Sequence, residues 1–165
     1  MNNLIEKLKL SQQDAIKFYP SCSQFEKKFL EQTFGSEIFN VKITDKIKTF
    51  EDAYNMTSKD DIEIIEYHKL LVAGCKFNTL AHQQLIIIAK VLNEGWTPNW
   101  NDANEPKYYP YFGVLSSGLV FVDSVFVYVY ACAFVGSRLC FKNRELAIYM
   151  GKQFVKIYEK DLIIT

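Results

Sequence analysis

The chain has 165 residues, 49% of them apolar and 23% charged, which suits one domain with a sizeable core and excludes a disordered chain. Lys+Arg and Asp+Glu both number 19, so no global field favours nucleic acid or an anionic membrane, and any charge argument is local. Cys22, Cys75, Cys132 and Cys140 lack the close spacing of a zinc knuckle or redox motif, and MNNLIEKLKL carries charge where a secretory leader has an unbroken apolar run; a cytoplasmic protein with reduced thiols is expected, a Cys132–Cys140 bridge being the alternative.

In chain order, residues 2–18 are weakly amphipathic and read as a helix ending near Tyr19-Pro20, because the residue before proline is pushed out of the α region. Ser21 or Ser23 caps a second, packing helix with Phe25 and Phe29 on one face, closed by Gly35. A short extended piece is expected from Glu37 to Ile43. Thr44 or Thr49 then opens a short helix carrying Phe50, Ala53 and Tyr54. Ser58 opens another, with Asp60 and Asp61 in its first turn and Ile62, Ile65 and Leu70 as its buried side. Asn78 is the expected N-cap of the central helix, whose residues Leu85, Ile86, Ile87, Ile88, Ala89, Val91 and Leu92 wrap most of the circumference before Gly95 ends it.

The stretch NEGWTPNWNDANEPKYYPYF, residues 93–112, follows. It holds both tryptophans, and of the 25 aromatic residues 15 lie after Asn93. Pro98 and Pro106 interrupt regular structure, and Asn99, Asn101, Asp102 and Asn104 suit turns, so a loop over 96–107 is predicted. A loop of this length is functional or needs its own anchors. Period-two patterning then predicts strands at about 108–114, 119–122 and 125–135, and a fourth over Arg138–Phe141. In the third, Phe126, Tyr128, Tyr130, Cys132 and Phe134 share a face that needs a cover or a ligand, and the small aliphatic face fits under a helix. The run from Leu119 to Val135 contains Asp123 and is rich in β-branched residues, which reads as strand and not as a membrane span. Asn143 caps a closing helix over 143–160, with Leu146, Met150, Phe154 and Tyr158 at four-residue steps and Gly151 permitting close approach to the sheet. The expected whole is a single α+β domain over 1–165: mostly helical to residue 95, the Trp-rich loop, then an antiparallel meander of three to four strands over 108–141 and the closing helix.

The runs GWTPNWNDANEPKYYPYF and VGSRLCFKNRELAIYMGKQFVKIY resemble an uncharacterised family of small proteins from gut anaerobic bacteria and their phages or prophages, over residues 84–160. The resemblance implies a cytoplasmic protein of phage or mobile-element origin. It carries no activity and no functional residue with it.

Enzymatic readings find little support in the pattern. His68 and His82 lie in no hydrolase or zincin motif, the cysteines and Asp60-Asp61 give no metal spacing, and no glycine-rich phosphate loop is present, so no metal and no cofactor are expected. Glu94, Asp102, Glu105 and Asp123 are the carboxylates that could pair for acid-base work on a glycan. The stronger feature is that the chain's two arginines, Arg138 and Arg144, flank Lys142, downstream of the aromatic set Trp96, Trp100, Tyr108, Tyr109, Tyr111 and Phe112. Two roles are open for each group. Arg138 either bonds a buried carboxylate or carbonyls, or recognises a partner; the tryptophans either pin the loop or form a contact surface. The first functional expectation is a non-enzymatic binding protein with a protein partner, using Trp96, Trp100, Tyr108, Tyr109, Tyr111, Arg138, Lys142 and Arg144. The alternatives are a binder of a small nucleotide or single-stranded nucleic acid, with arginine on phosphate and tryptophan stacking the base, and an enzyme with an unrecognised site.

Overall fold

The computed structural model describes residues 10–129 and 137–163, and these belong to two units divided between Lys42 and Ile43. Among the described residues the fold is mixed α+β, with eight α-helices and a two-stranded antiparallel sheet.

In the first unit, Ser11 caps α1 (Gln12–Phe18) and a 3-10 turn over Tyr19–Ser21 takes up Pro20. Residues 1–9 of the helix expected over 2–18 lie outside the described residues. α2 (Gln24–Phe34) starts with a capping box in which Ser23 and Glu26 each satisfy the other's backbone amide, and Gly35 stops it with φ 90°. Its expected packing face is not buried: Phe25 is 82% exposed, and Leu30 is the residue that goes inside. Where an extended piece was expected from Glu37, the chain makes a 3-10 turn over Ser36–Ile38, and Phe39 stacks on Tyr19 at 4.3 Å.

The second unit opens with α3 (Ile43–Lys46) and α4 (Phe50–Met56), the latter capped by Thr49 and Asp52 as a reciprocal pair. α5 (Ile62–Val72) is capped by Asp61, one turn later than the Ser58 start expected. Its buried residue is Ile64, whereas Ile62 and Ile65 face solvent. Only one apolar row of a short helix meets the central helix, and with isoleucine at 62, 64 and 65 the pattern did not say which.

α6 (Phe77–Leu92) is that central helix. Leu85, Ile87, Ile88, Ala89 and Leu92 have no measurable exposure, because α4, α5 and the C-terminal helix all pack on it. It begins at Phe77 with Lys76 at the cap position and no side-chain cap, so Asn78 lies inside the first turn. Glu94 (φ 50°) and Gly95 (φ 84°) turn the chain out through two successive left-handed residues.

β1 (Lys107–Leu115) and β2 (Gly118–Val127) form a hairpin. The strands expected at 119–122 and from Val125 are one strand. A bulge lets it run through Asp123: Tyr111 pairs with Asp123 and Phe112 with Phe121, so Val122 is the extra residue. The part of the expected third strand from Tyr130 to Val135 lies outside the described residues, as does the Cys132 half of the possible bridge. The expected fourth strand over Arg138–Phe141 is instead a 3-10 turn (Ser137–Leu139) and a single bridge, Tyr108 to Phe141.

The closing helix is two, α7 (Arg144–Gln153) and α8 (Val155–Leu162), broken at Phe154 (φ −112°, ψ 22°). Its row of Leu146, Met150, Phe154 and Tyr158 is buried as the spacing predicts. α7 lies across the hairpin at Gly151, where a Cβ would run into the Phe121 ring and Pro110. Glu159 on α8 receives the Leu119 amide at 3.0 Å, which fastens the hairpin turn to the helix. Among the described residues no helix is long and apolar enough to cross a membrane.

Candidate binding site

The tryptophan loop is built around a buried lysine. Lys107 has no exposed surface, and its ammonium donates to the carbonyls of Asp102 (3.2 Å) and Glu105 (2.9 Å) while lying 3.1 Å from the Glu105 carboxylate. A buried charge survives only when paired and hydrogen-bonded, and here both conditions are met. Glu105 completes the loop by accepting from the Trp96 indole N–H at 3.1 Å and the Asn99 amide at 2.8 Å. Burial pushes the Glu105 carboxyl upward, but these donors outweigh it and hold the group below the usual carboxylate range. Asn99 and Asp102 close local turns on the amides of Asn101 and Asn104.

This frame sets both indoles against the base of the hairpin. Trp96 and Trp100 pack with Tyr109, Cys140, Val125 and Val127 in a small cluster beside the main core. Val125 and Val127 of the expected aliphatic face therefore meet the tryptophans, while Phe126 between them is 51% exposed. The Lys107 ammonium lies 5.5 Å over the Trp100 ring, while the Trp100 N–H is closed off from solvent and has no hydrogen-bond partner.

Between this loop, α6 and the 3-10 turn lies a cleft of about 430 Å³, lined by Trp96, Thr97, Pro98 and Trp100 on one side and by Ile86, Lys90, Asn93, Glu63, Arg138 and Cys140 on the other. Its floor is tied together by Asn93, which donates to the Cys140 carbonyl (2.8 Å) and accepts from the Lys142 amide (3.1 Å). Glu63 is oriented by the buried Gln83, which donates to its carboxylate at 2.9 Å, and it faces the Arg138 guanidinium at 3.9 Å. Lys90 is engaged by Asp61 at 2.7 Å, and that contact leads the causes holding the Asp61 carboxyl below its ordinary value. The cleft thus presents two cations, Lys90 and Arg138, and one carboxylate, Glu63, beside an aromatic wall.

Of the residues singled out in the sequence, Trp96, Trp100 and Arg138 line this cleft together. Tyr109 packs with the tryptophans; Tyr108 meets Phe126 in a tilted ring contact at 5.7 Å; Tyr111 stands half exposed farther along β1. Lys142 pairs with Glu94 at 2.8 Å and Arg144 with Asp123 at 2.7 Å, so the three basic side chains end on three different carboxylates and not on one positive surface. The acids considered for paired acid-base work are taken up in the same way, Glu94, Glu105 and Asp123 each by a cation and Asp102 by loop hydrogen bonds. His68 bonds the Tyr54 hydroxyl at 2.8 Å, and His82 bonds Asp161 at 3.1 Å. Among the described residues no three His, Cys, Asp or Glu side chains come together as a metal set.

Lys107, Glu63 and Lys90 were not singled out in the sequence. A period-two reading of KYYPYF does place Lys107 on the face of Tyr109, and that was the available signal. For Glu63 and Lys90, on two separate helices, the sequence carries none. Comparison with protein-family models, with curated proteins and with solved structures finds no match.

Proposed function

We propose that the protein is a cytoplasmic, non-enzymatic binding module that receives a side chain of a protein partner in the cleft under the tryptophan loop. The observation carrying this reading is that Trp96 and Trp100 of the loop and Arg138 of a distant turn line one concave site of about 430 Å³. Tryptophan and arginine around a partly desolvated socket are what interface hot spots are made of. The pairing of Lys142 and Arg144 with carboxylates favours a protein over a polyanion, since tracking a phosphate backbone needs several uncommitted cations. An origin in phage or mobile elements rests on the family resemblance alone.

The reading is tested by placing a photo-crosslinking residue at the exposed Thr97 and, as a control, at the exposed Ser117 of the hairpin turn. A polypeptide captured from position 97 and not from 117 should, once purified, bind the unmodified protein and lose about tenfold or more in affinity to Arg138→Glu. Equal capture at both positions, or indifference to the charge reversal, rejects it.

One observation favours a second reading, a small planar anion or mononucleotide. The cleft volume is that of small-molecule sites, and the Arg138 side chain at its rim is 66% exposed. Because the chain's two tryptophans both line this cleft, intrinsic fluorescence reports it directly. Saturable quenching by a mononucleotide, abolished by Arg138→Ala, would put this reading first; a flat titration removes it.

A further inference from the structure

The three basic side chains that follow the tryptophan loop are not equally engaged. Lys142 and Arg144 hold their carboxylates at 2.8 and 2.7 Å, whereas Arg138 stands 3.9 Å from Glu63, beyond hydrogen-bond reach. Among the described residues the Arg138 guanidinium donates no hydrogen bond, and the acid faces one terminal nitrogen, Nη1. Its other edge, Nη2 and Nε, is left for a planar acceptor, which arginine holds with two parallel N–H donors.

The remaining charged groups of the cleft are already engaged. Lys90 lies 2.7 Å from both Asp61 oxygens, and Glu63 accepts from the buried Gln83 through its backbone carbonyl and its carboxylate, at 3.0 and 2.9 Å. What the cleft offers a guest is therefore one guanidinium beside an apolar wall of Ile86, Trp96, Pro98 and Trp100. A single positive charge with Glu63 close by balances one negative charge and not two, which selects a carboxylate over a phosphate dianion. A cationic guest would meet Lys90 and Arg138 as like charges. We propose that the cleft receives a carboxylate carried next to an apolar side chain, the carboxylate closing on Arg138 and the apolar group lying along Trp96 and Trp100. The inference rests on the partner reading above and names the chemistry of the partner's segment. That segment is either an acidic residue beside a large apolar one or a chain end whose last residue is apolar.

Four probes separate these sources. N-acetylphenylalanine ends in a carboxylate, N-acetylaspartylphenylalaninamide carries one on a side chain, N-acetylphenylalaninamide has none, and phenyl phosphate replaces it with a phosphate. Each is titrated into the full chain and followed through the indole N–H signals of Trp96 and Trp100, the two tryptophans of the sequence. The carboxylates should move these signals and bind about fivefold or more tighter than the neutral amide at low ionic strength. That gap should close as salt is raised, because Arg138 is 66% exposed. The tighter of the two carboxylates identifies the source. Arg138→Gln should erase the gap without shifting tryptophan emission, and Glu63→Gln should widen it by removing the acid that competes for the guanidinium. Equal binding of the carboxylates and the amide, no binding of any probe, phenyl phosphate bound more tightly than either carboxylate, or a gap that survives Arg138→Gln would each overturn the proposal. That failure is distinct from failure of the partner reading, which turns on capture at position 97. A captured polypeptide that needs Arg138, together with equal binding of the carboxylates and the amide, keeps the partner and removes the carboxylate.

Discussion

The cleft under the tryptophan loop and the face of the hairpin that α7 crosses both belong to the second unit, yet they are held in shape by different forces. The first is walled by irregular backbone, and its geometry comes from polar bonds: Lys107, Glu105 and Asn93 supply most of the ties that place Trp96 and Trp100. In the second a strand lies under a helix, and the geometry comes from close apolar packing around Gly151, Phe112 and Phe121. A loop without regular hydrogen bonding must satisfy its backbone locally, and a strand under a helix has that done already. The two regions should therefore fail to opposite kinds of change, one to loss of charge and the other to change of volume.

Lys107→Ala should produce the largest effect. It leaves Glu105 without its cation and two carbonyls without their donor, and breaking a buried pair of this kind costs about 3–5 kcal/mol. Chemical denaturation should show that loss together with a red-shifted tryptophan emission. An unchanged emission would mean that the loop holds its place without the lysine and would break the comparison. Asn93→Ala follows, at about 2–3 kcal/mol, because the side chain is buried and its removal takes a donor from the Cys140 carbonyl and an acceptor from the Lys142 amide.

The packed region should answer to Gly151→Ala, at about 2 kcal/mol, since the added methyl meets Phe121 and Pro110 where neither can yield freely. The same substitution should leave tryptophan emission alone, which sharpens the contrast with Lys107.

The smallest effect is one of pH. His82 has its pKa raised, first by its hydrogen bond to Asp161, against the opposing effects of burial and Arg138. A histidine raised in the folded state stabilises fully below its unfolded value near 6.5 and loses that contribution as pH rises through the folded value. Half of the ring is exposed, so after allowance for solvent screening the gain is about 0.5 kcal/mol or less. Stability compared at pH 6 and pH 8.5 should show it in the native protein and not in Asp161→Asn. Glu105 has the opposite sign: its depressed pKa gives stability present above about 4.5 and lost as pH falls through the folded value.

Much of the architecture was legible where the signal is local. Ser23 and Thr49, each one of two caps offered, do cap their helices, α6 is buried on most sides, Gly95 stops the chain in a left-handed conformation, and Gly151 admits the hairpin. Errors gathered where two local solutions were nearly equal. A bulge carried β2 through Asp123, Phe154 divided the closing helix, and Ile64 was chosen over Ile62 and Ile65 for burial. At the site, the tryptophans and Arg138 were visible as unusual residue types, and Lys107 was hidden because a lysine at a strand end reads as a solvent-facing charge.

The sequence by itself determined most of the longer helices, the approximate place of the aromatic loop, and that the chain's rare residues follow one another after Asn93, because capping, periodicity and composition act within a few residues along the chain. Only the tertiary structure decided what those residues do. It brought Glu63 and Lys90 opposite the tryptophans and gave Arg138, Lys142 and Arg144 three separate carboxylates, and it closed the Tyr158 hydroxyl off from solvent without a partner. Those outcomes depend on distances between elements far apart in the chain, set by the packing of α4, α5 and α8 around α6, and no local pattern encodes them.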